Sequence, residues 1–140
     1  MAGEALVVAD ASVVVKWFVE EEHTEAALRL RDDYIDRAVD LASPDLLPYE
    51  VLNALRYNPG LGERQLKEIA EALEKYSLWL APLEGELARR CVENAMRHGI
   101  SVYDSAYISL GQLKEAPVYT ADRALMNRVL DERVRHISTY

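Results

Sequence analysis

The chain has 140 residues, the size of one domain, and can bury a sizeable core without crosslinks. Its formal net charge of −8 excludes loose, non-specific binding to nucleic acid, but not a nucleic-acid substrate handled by cations in a local site. A single cysteine, Cys91, excludes an internal disulfide and a thiolate metal cluster, and its expected place is the apolar core.

Met1-Ala-Gly-Glu4 has no basic n-region, so no signal peptide is expected. The apolar stretch from Ala5 to Val19 carries Asp10, Ser12 and Lys16, which rules it out as a membrane span. A cytoplasmic, reducing compartment is the expectation. Leu6–Ala9 is short, apolar and Val-rich, the pattern of a strand buried on both faces. Asp10 or Ser12 can cap a short helix through Val13, Val14, Val15, Trp17 and Phe18, a β-branched run that becomes helical only if burial overrides propensity. Thr24 is the expected N-cap of a helix with Ala26, Ala27, Leu30, Tyr34, Ile35 and Ala38 on one face. Leu41–Ser43 reads as a second strand ended by Pro44. Asp45 then caps a helix running to about Tyr57, with Pro48 tolerated in its first turn and Asn58-Pro-Gly60 as its stop. Glu63–Tyr76 has amphipathic spacing at Leu66, Ile69, Ala70 and Leu73. Leu78–Ala81 is a third strand, followed by a one-faced helix on Leu87, Ala88, Cys91, Val92, Ala95 and Met96 that His98-Gly99 ends. Ser101 to about Lys114 is apolar nearly all round and predicts a buried helix. Pro117–Thr120 is a fourth strand, Asp122–Leu130 a short helix and Val134–Ile137 a fifth strand. The alternation predicts an α/β fold, a five-stranded parallel sheet flanked by helices on both faces, in a single domain spanning 1–140.

In an open parallel sheet, ligands bind beyond the carboxyl ends of the strands. Asp10 follows the first strand and Asp122 the fourth; Glu50 and Asp104 lie in the first turns of helices that start at the same end. Each acid also has a plain structural explanation. Asp10 and Asp122 suit helix caps, Asp104 completes an S-x-x-D box with Ser101, and Glu50 suits a solvated helix face, although it borders the apolar side near Leu47 and Ala54. Capping does not require all four at one edge, where like charges repel. Two divalent cations would cancel four negative charges, and oxygen ligands without Cys or His suit Mg²⁺ or Mn²⁺. His23, His98 and His136 have no ligand-like spacing.

Four segments resemble the motifs of PIN domains, and of VapC-type toxins in particular. They are Leu6-Val-Val-Ala-Asp10-Ala-Ser12, Pro48-Tyr-Glu50-Val-Leu-Asn53-Ala-Leu55, Val102-Tyr-Asp104-Ser-Ala-Tyr107-Ile-Ser-Leu110 and Tyr119-Thr120-Ala-Asp122-Arg123. They stand in the family's order, with no departure at the four acid positions. The resemblance implies a PIN-like fold and a metal-dependent ribonuclease, an endonuclease that hydrolyses RNA phosphodiester bonds to 5′-phosphate and 3′-hydroxyl ends. Asp10, Glu50, Asp104 and Asp122 would hold Mg²⁺ (or Mn²⁺), and Ser12, Thr120 and Asn53 would support them. It further implies a VapB-like antitoxin partner and a homodimer. Lys16, Arg56 and Arg123 lie nearest the motifs, with solvated or snorkelling roles as the plainer reading.

Two other readings compete. A receiver-like phosphoacceptor domain would place an acid after the third strand, where this chain has Pro82. A PIN-like module that binds RNA or protein without cleaving it would be marked by loss of an acid, and all four are present.

Overall fold

The Val-rich opening forms the middle of the sheet, as strand β1 (Ala5–Ala9). After it come α1 (Ala11–Val14), a 3-10 turn (Val15–Trp17), α2 (Thr24–Ile35), β2 (Val39–Pro44), α3 (Leu47–Arg56), α4 (Glu63–Tyr76) and β3 (Trp79–Ala81). The chain continues through α5 (Gly85–His98), α6 (Val102–Lys114), β4 (Val118–Thr120), α7 (Arg123–Val129), β5 (Val134–His136) and a closing 3-10 turn (Ile137–Thr139). This computed structural model describes residues 5–140; Met1–Glu4, read above for a leader, lie outside the described residues.

All strand pairs are parallel, in the order β3-β2-β1-β4-β5. Val8 pairs with Ala42 on one side and Val118 on the other, and its side chain is wholly buried. A strand with neighbours on both edges and helices on both faces has no wet side, so a continuous apolar run is what it needs. The chain runs outward from β1 to β3, then crosses back to β4 and continues to β5. With right-handed crossovers, that reversal puts α1–α4 on one face and α5–α7 on the other. It also makes the gap between β1 and β4 the topological switch point, where parallel sheets bind ligands. A receiver-like domain has a different strand order, and here β3 leads into Pro82 with no acid at its end.

Burial explains the β-branched helix. Val13 and Val14 are fully buried, and Trp17 is anchored by an Nε1–H bond of 2.9 Å to the Ala27 carbonyl. α6 is apolar all round because it lies against β1, β2, β4 and α5. Its one glycine, Gly111, faces β4 so closely that a Cβ there would stand 2.3 Å from Val118 Cγ2. Gly99 ends α5 at a φ of 63°, in the left-handed region expected of it.

Two expected caps do not form. Thr24 is the first residue of α2, not its cap. Its hydroxyl accepts from Glu21 N–H at 2.9 Å and donates to the Val19 carbonyl, tying the preceding loop, while His23 takes the cap position at a φ of 67°. α3 starts after Leu46 without a side-chain cap, and the Asp45 N–H bonds to the Ala81 carbonyl at 2.9 Å. Several element ends also move by one to three residues. α2 stops at Ile35 where Ala38 was expected, β2 starts at Val39, and Ile137 belongs to the closing turn, not to β5. Cys91 is buried, as expected.

Candidate active site

Asp10 leaves β1 at the switch point. Its N–H still belongs to the sheet, donating to the Tyr119 carbonyl at 3.0 Å, and its extended backbone occupies the cap position of α1. The carboxylate makes no capping hydrogen bond. Two hydroxyls address its Oδ2 instead: Ser12 Oγ donates at 2.6 Å and Thr120 Oγ1 at 2.8 Å. The same two hydroxyls accept from the next loop, Ser12 from Ala121 N–H and Thr120 from Asp122 N–H. Asp10 and the β4–α7 loop are thus one hydrogen-bonded unit. Ser43 braces it from β2, donating at 2.6 Å to the carbonyl of Ala9.

Glu50 sits half-buried in the first turns of α3, at the boundary its helical position predicts. Its Oε1 accepts from the Tyr107 hydroxyl at 2.6 Å. Tyr107 is fully buried on α6, three residues after Asp104, so one helix both presents Asp104 and holds Glu50. Asp104 is half-buried; its N–H donates to Ser101 Oγ, so the hydroxyl half of the S-x-x-D box forms. Asp122 is exposed and does cap its helix, accepting from Leu125 N–H at 3.1 Å. Asn53 is exposed on α3 and lines an open hollow of about 590 Å³ with Leu46, Tyr49, Glu50 and Tyr103. Tyr107 and Ser43 were not singled out as site residues from the sequence. The signal for Tyr107 was a hydroxyl at i+3 from an acid, inside a helix otherwise apolar.

The electrostatics favour the arrival of positive charge. Burial is the main cause that raises the Asp10 carboxyl above its ordinary range; the Ser12 and Thr120 hydroxyls pull it back, and the Asp104 charge raises it again. Burial likewise raises Glu50, against the Tyr107 hydrogen bond, with further upward pushes from Asp10 and Asp104. Asp104 is raised by burial first and by Asp122 next. The acids therefore feel one another, and among the described residues none of the four is ion-paired with a Lys or Arg. Lys16 is buried and spent on Glu21 at 3.0 Å, and Arg56 lies over the Tyr57 ring. Such a set of hard oxygen donors, uncompensated and without sulfur or imidazole, fits Mg²⁺ or Mn²⁺ in kind. As the side chains stand, no three His, Cys, Asp or Glu among the described residues close round a single point. Ser12 and Thr120 hold Asp10, and Tyr107 holds Glu50, each in its own place.

The family model for the PIN domain matches residues 7–129, which takes in all four acids. The chain belongs to the PIN domain family. It is 30% identical over 125 residues to the Ribonuclease VapC3 of Pyrobaculum aerophilum, an alignment covering 86% of this chain and 92% of that protein. A toxin–antitoxin complex from Klebsiella pneumoniae shares the fold at a TM-score of 0.69 and 14% identity, over 94% of this chain and 97% of that one. FitAcB from Neisseria gonorrhoeae shares it at a TM-score of 0.69 and 17% identity, over 96% and 99% respectively. The PIN fold predicted from the sequence is thus the observed one, including its five parallel strands in one sheet.

Proposed function

We propose that this PIN protein is a divalent-metal-dependent endoribonuclease, the toxin of a VapBC-type pair, and that the whole chain 1–140 is one such domain. The observation that carries the reading is the acid cluster at the switch point. Burial raises the proton affinity of Asp10, Glu50 and Asp104, neighbouring acids raise each further, with Asp122 acting on Asp104, and among the described residues none of the four is ion-paired. The likeness to Ribonuclease VapC3 supports RNA as the substrate.

Asp10, Glu50 and Asp104 would hold the cation, with Asp122 at the exposed rim. Bound there, Mg²⁺ or Mn²⁺ supplies activation of water and charge neutralisation at the scissile phosphate. Ser12 and Thr120 orient Asp10 by occupying Oδ2, and Tyr107 orients Glu50 by occupying Oε1. Each hydrogen bond favours the charged form of the carboxylate it holds and fixes its position. Asn53 lies outside this hydrogen-bonded frame, and its proposed place is on the substrate side.

Toxin–antitoxin complexes among the structural neighbours support a VapB-like antitoxin as partner, and a homodimer is the proposed assembly. Among the described residues no helix is long and apolar enough to cross a membrane. An enzyme acting on cellular RNA would work in the cytoplasm. The test is Asp104→Asn: its N-cap, Ser101, is untouched, so the variant is expected to fold normally and to lose RNA cleavage. Full activity in that variant would return Asp104 to a purely structural role.

A further inference from the structure

Two of the acids each follow directly on an exposed aromatic: Tyr49 precedes Glu50 on α3, and Tyr103 precedes Asp104 on α6. The two residues are 79% and 65% exposed, although an aromatic side chain gains by being buried. Both line the hollow of about 590 Å³ that Glu50 and Asn53 share. Among the described residues, neither ring stacks on another ring or on a cation.

We propose that Tyr49 and Tyr103 are a stacking platform for unpaired bases of an RNA strand whose phosphate lies at the neighbouring acid cluster, with Asn53 facing the base edges. The inference deepens the ribonuclease reading and rests on it. Charge decides between ways of gripping the strand. A chain of net charge −8, with Lys16 spent on Glu21 and Arg56 over the Tyr57 ring, gains little from loose phosphate contacts. Stacking on a tyrosine face does not depend on charge and accepts any base. The platform is continuous with the site, because Glu50 belongs to both. It also extends along α3, where Tyr49, Asn53 and Tyr57 recur every four residues over about 12 Å, and Arg56 rests on the Tyr57 ring at 5.1 Å. A duplex keeps its bases stacked on each other and cannot offer them to the hollow, so the platform selects single strands.

The experiment compares the full-length protein with Tyr49→Ala, Tyr103→Ala and the matching Phe variants. The probes are a labelled single-stranded RNA in Mg²⁺, the same RNA with an abasic nucleotide beside the cleaved bond, and its duplex. Each Ala substitution is expected to raise KM about tenfold with a much smaller change in kcat, and Phe is expected to restore most of the loss. The abasic strand should cost the unmodified protein a similar factor and cost the Ala variants little more. Unchanged KM in both Ala variants, or equal cleavage of strand and duplex, overturns the platform and leaves the ribonuclease reading standing. No cleavage of any RNA by the unmodified protein overturns that reading and the platform with it. Sedimentation of the same variants supplies the last arm: a dimer that falls to monomer in both Ala variants assigns the hollow to a second copy of the chain and overturns the platform.

Discussion

At the scale of single residues, hydroxyls hold the carboxylates in place. Thr120 is completely buried, and its hydroxyl donates to Asp10 and accepts from Asp122 N–H. Thr120→Val keeps the shape and removes both bonds. Cleavage is expected to fall about 10–100-fold. Asp10 would also lose a hydrogen bond that lowers its pKa, so the acid limb of the pH–rate profile should move to higher pH. An unmoved limb would mean that Thr120 serves packing alone. Tyr107→Phe removes the bond to Glu50 and should cost about 1.5–3 kcal/mol in chemical denaturation, because the lost bond is to a charged group. Asp10 was legible in the sequence because an apolar strand ends on it. Ser12 and Thr120 were legible only through the family motifs. Tyr107 was not, because inside an apolar helix a tyrosine reads as core, and its polar end is seen to reach Glu50 only once α3 and α6 are placed together.

At the scale of elements, α6 carries the most weight. It presents Asp104 at its start, holds Glu50 through Tyr107, and lies so close on β4 that Gly111 has no room for a methyl group. Gly111→Ala should destabilise the protein by about 1–3 kcal/mol through overpacking, and Val118→Ala should relieve part of that in the double variant. Strict additivity of the two would show that helix and strand do not meet there. The order and type of the elements followed from apolar periodicity. The local start signals were less faithful. Thr24 and Asp45 look like caps, yet the Thr24 hydroxyl is used by the loop from Val19 to Glu21, and Asp45 is drawn to the β3 edge through its backbone. For Thr24 a local loop contact takes the hydroxyl, and for Asp45 the held group is the backbone N–H while its carboxylate caps nothing.

At the scale of the whole molecule, the fold pays for its site in stability. The folded protein raises the pKa values of Asp10, Glu50 and Asp104, so it holds protons more tightly than the unfolded chain does. The contribution of these three groups to stability is therefore greatest below the ordinary carboxylate range, about pH 4, and is lost as pH rises through their raised folded-state values. In chelator, Tm is expected to drop across that window and Asp104→Asn to flatten the drop. Mn²⁺ should raise Tm above the window and lose its effect below it, where the carboxylates are protonated. A Tm that rises steadily with pH in chelator would contradict this picture. The convergence of four acids was legible from the strand–helix alternation, because parallel strands put their ends on one side. The reversal at β1 that brings the β4 loop against Asp10 was not, since strand order is decided by pairing between distant segments.

The proposed function requires the acid cluster to hold a divalent cation against RNA. The most direct measurement is cleavage of single-stranded RNA by the purified protein in Mg²⁺ or Mn²⁺, in excess EDTA, and after the metal is restored. Products with 5′-phosphate and 3′-hydroxyl ends, loss of cleavage on chelation and its recovery with metal are the expected result. Cleavage that persists in excess EDTA would contradict it.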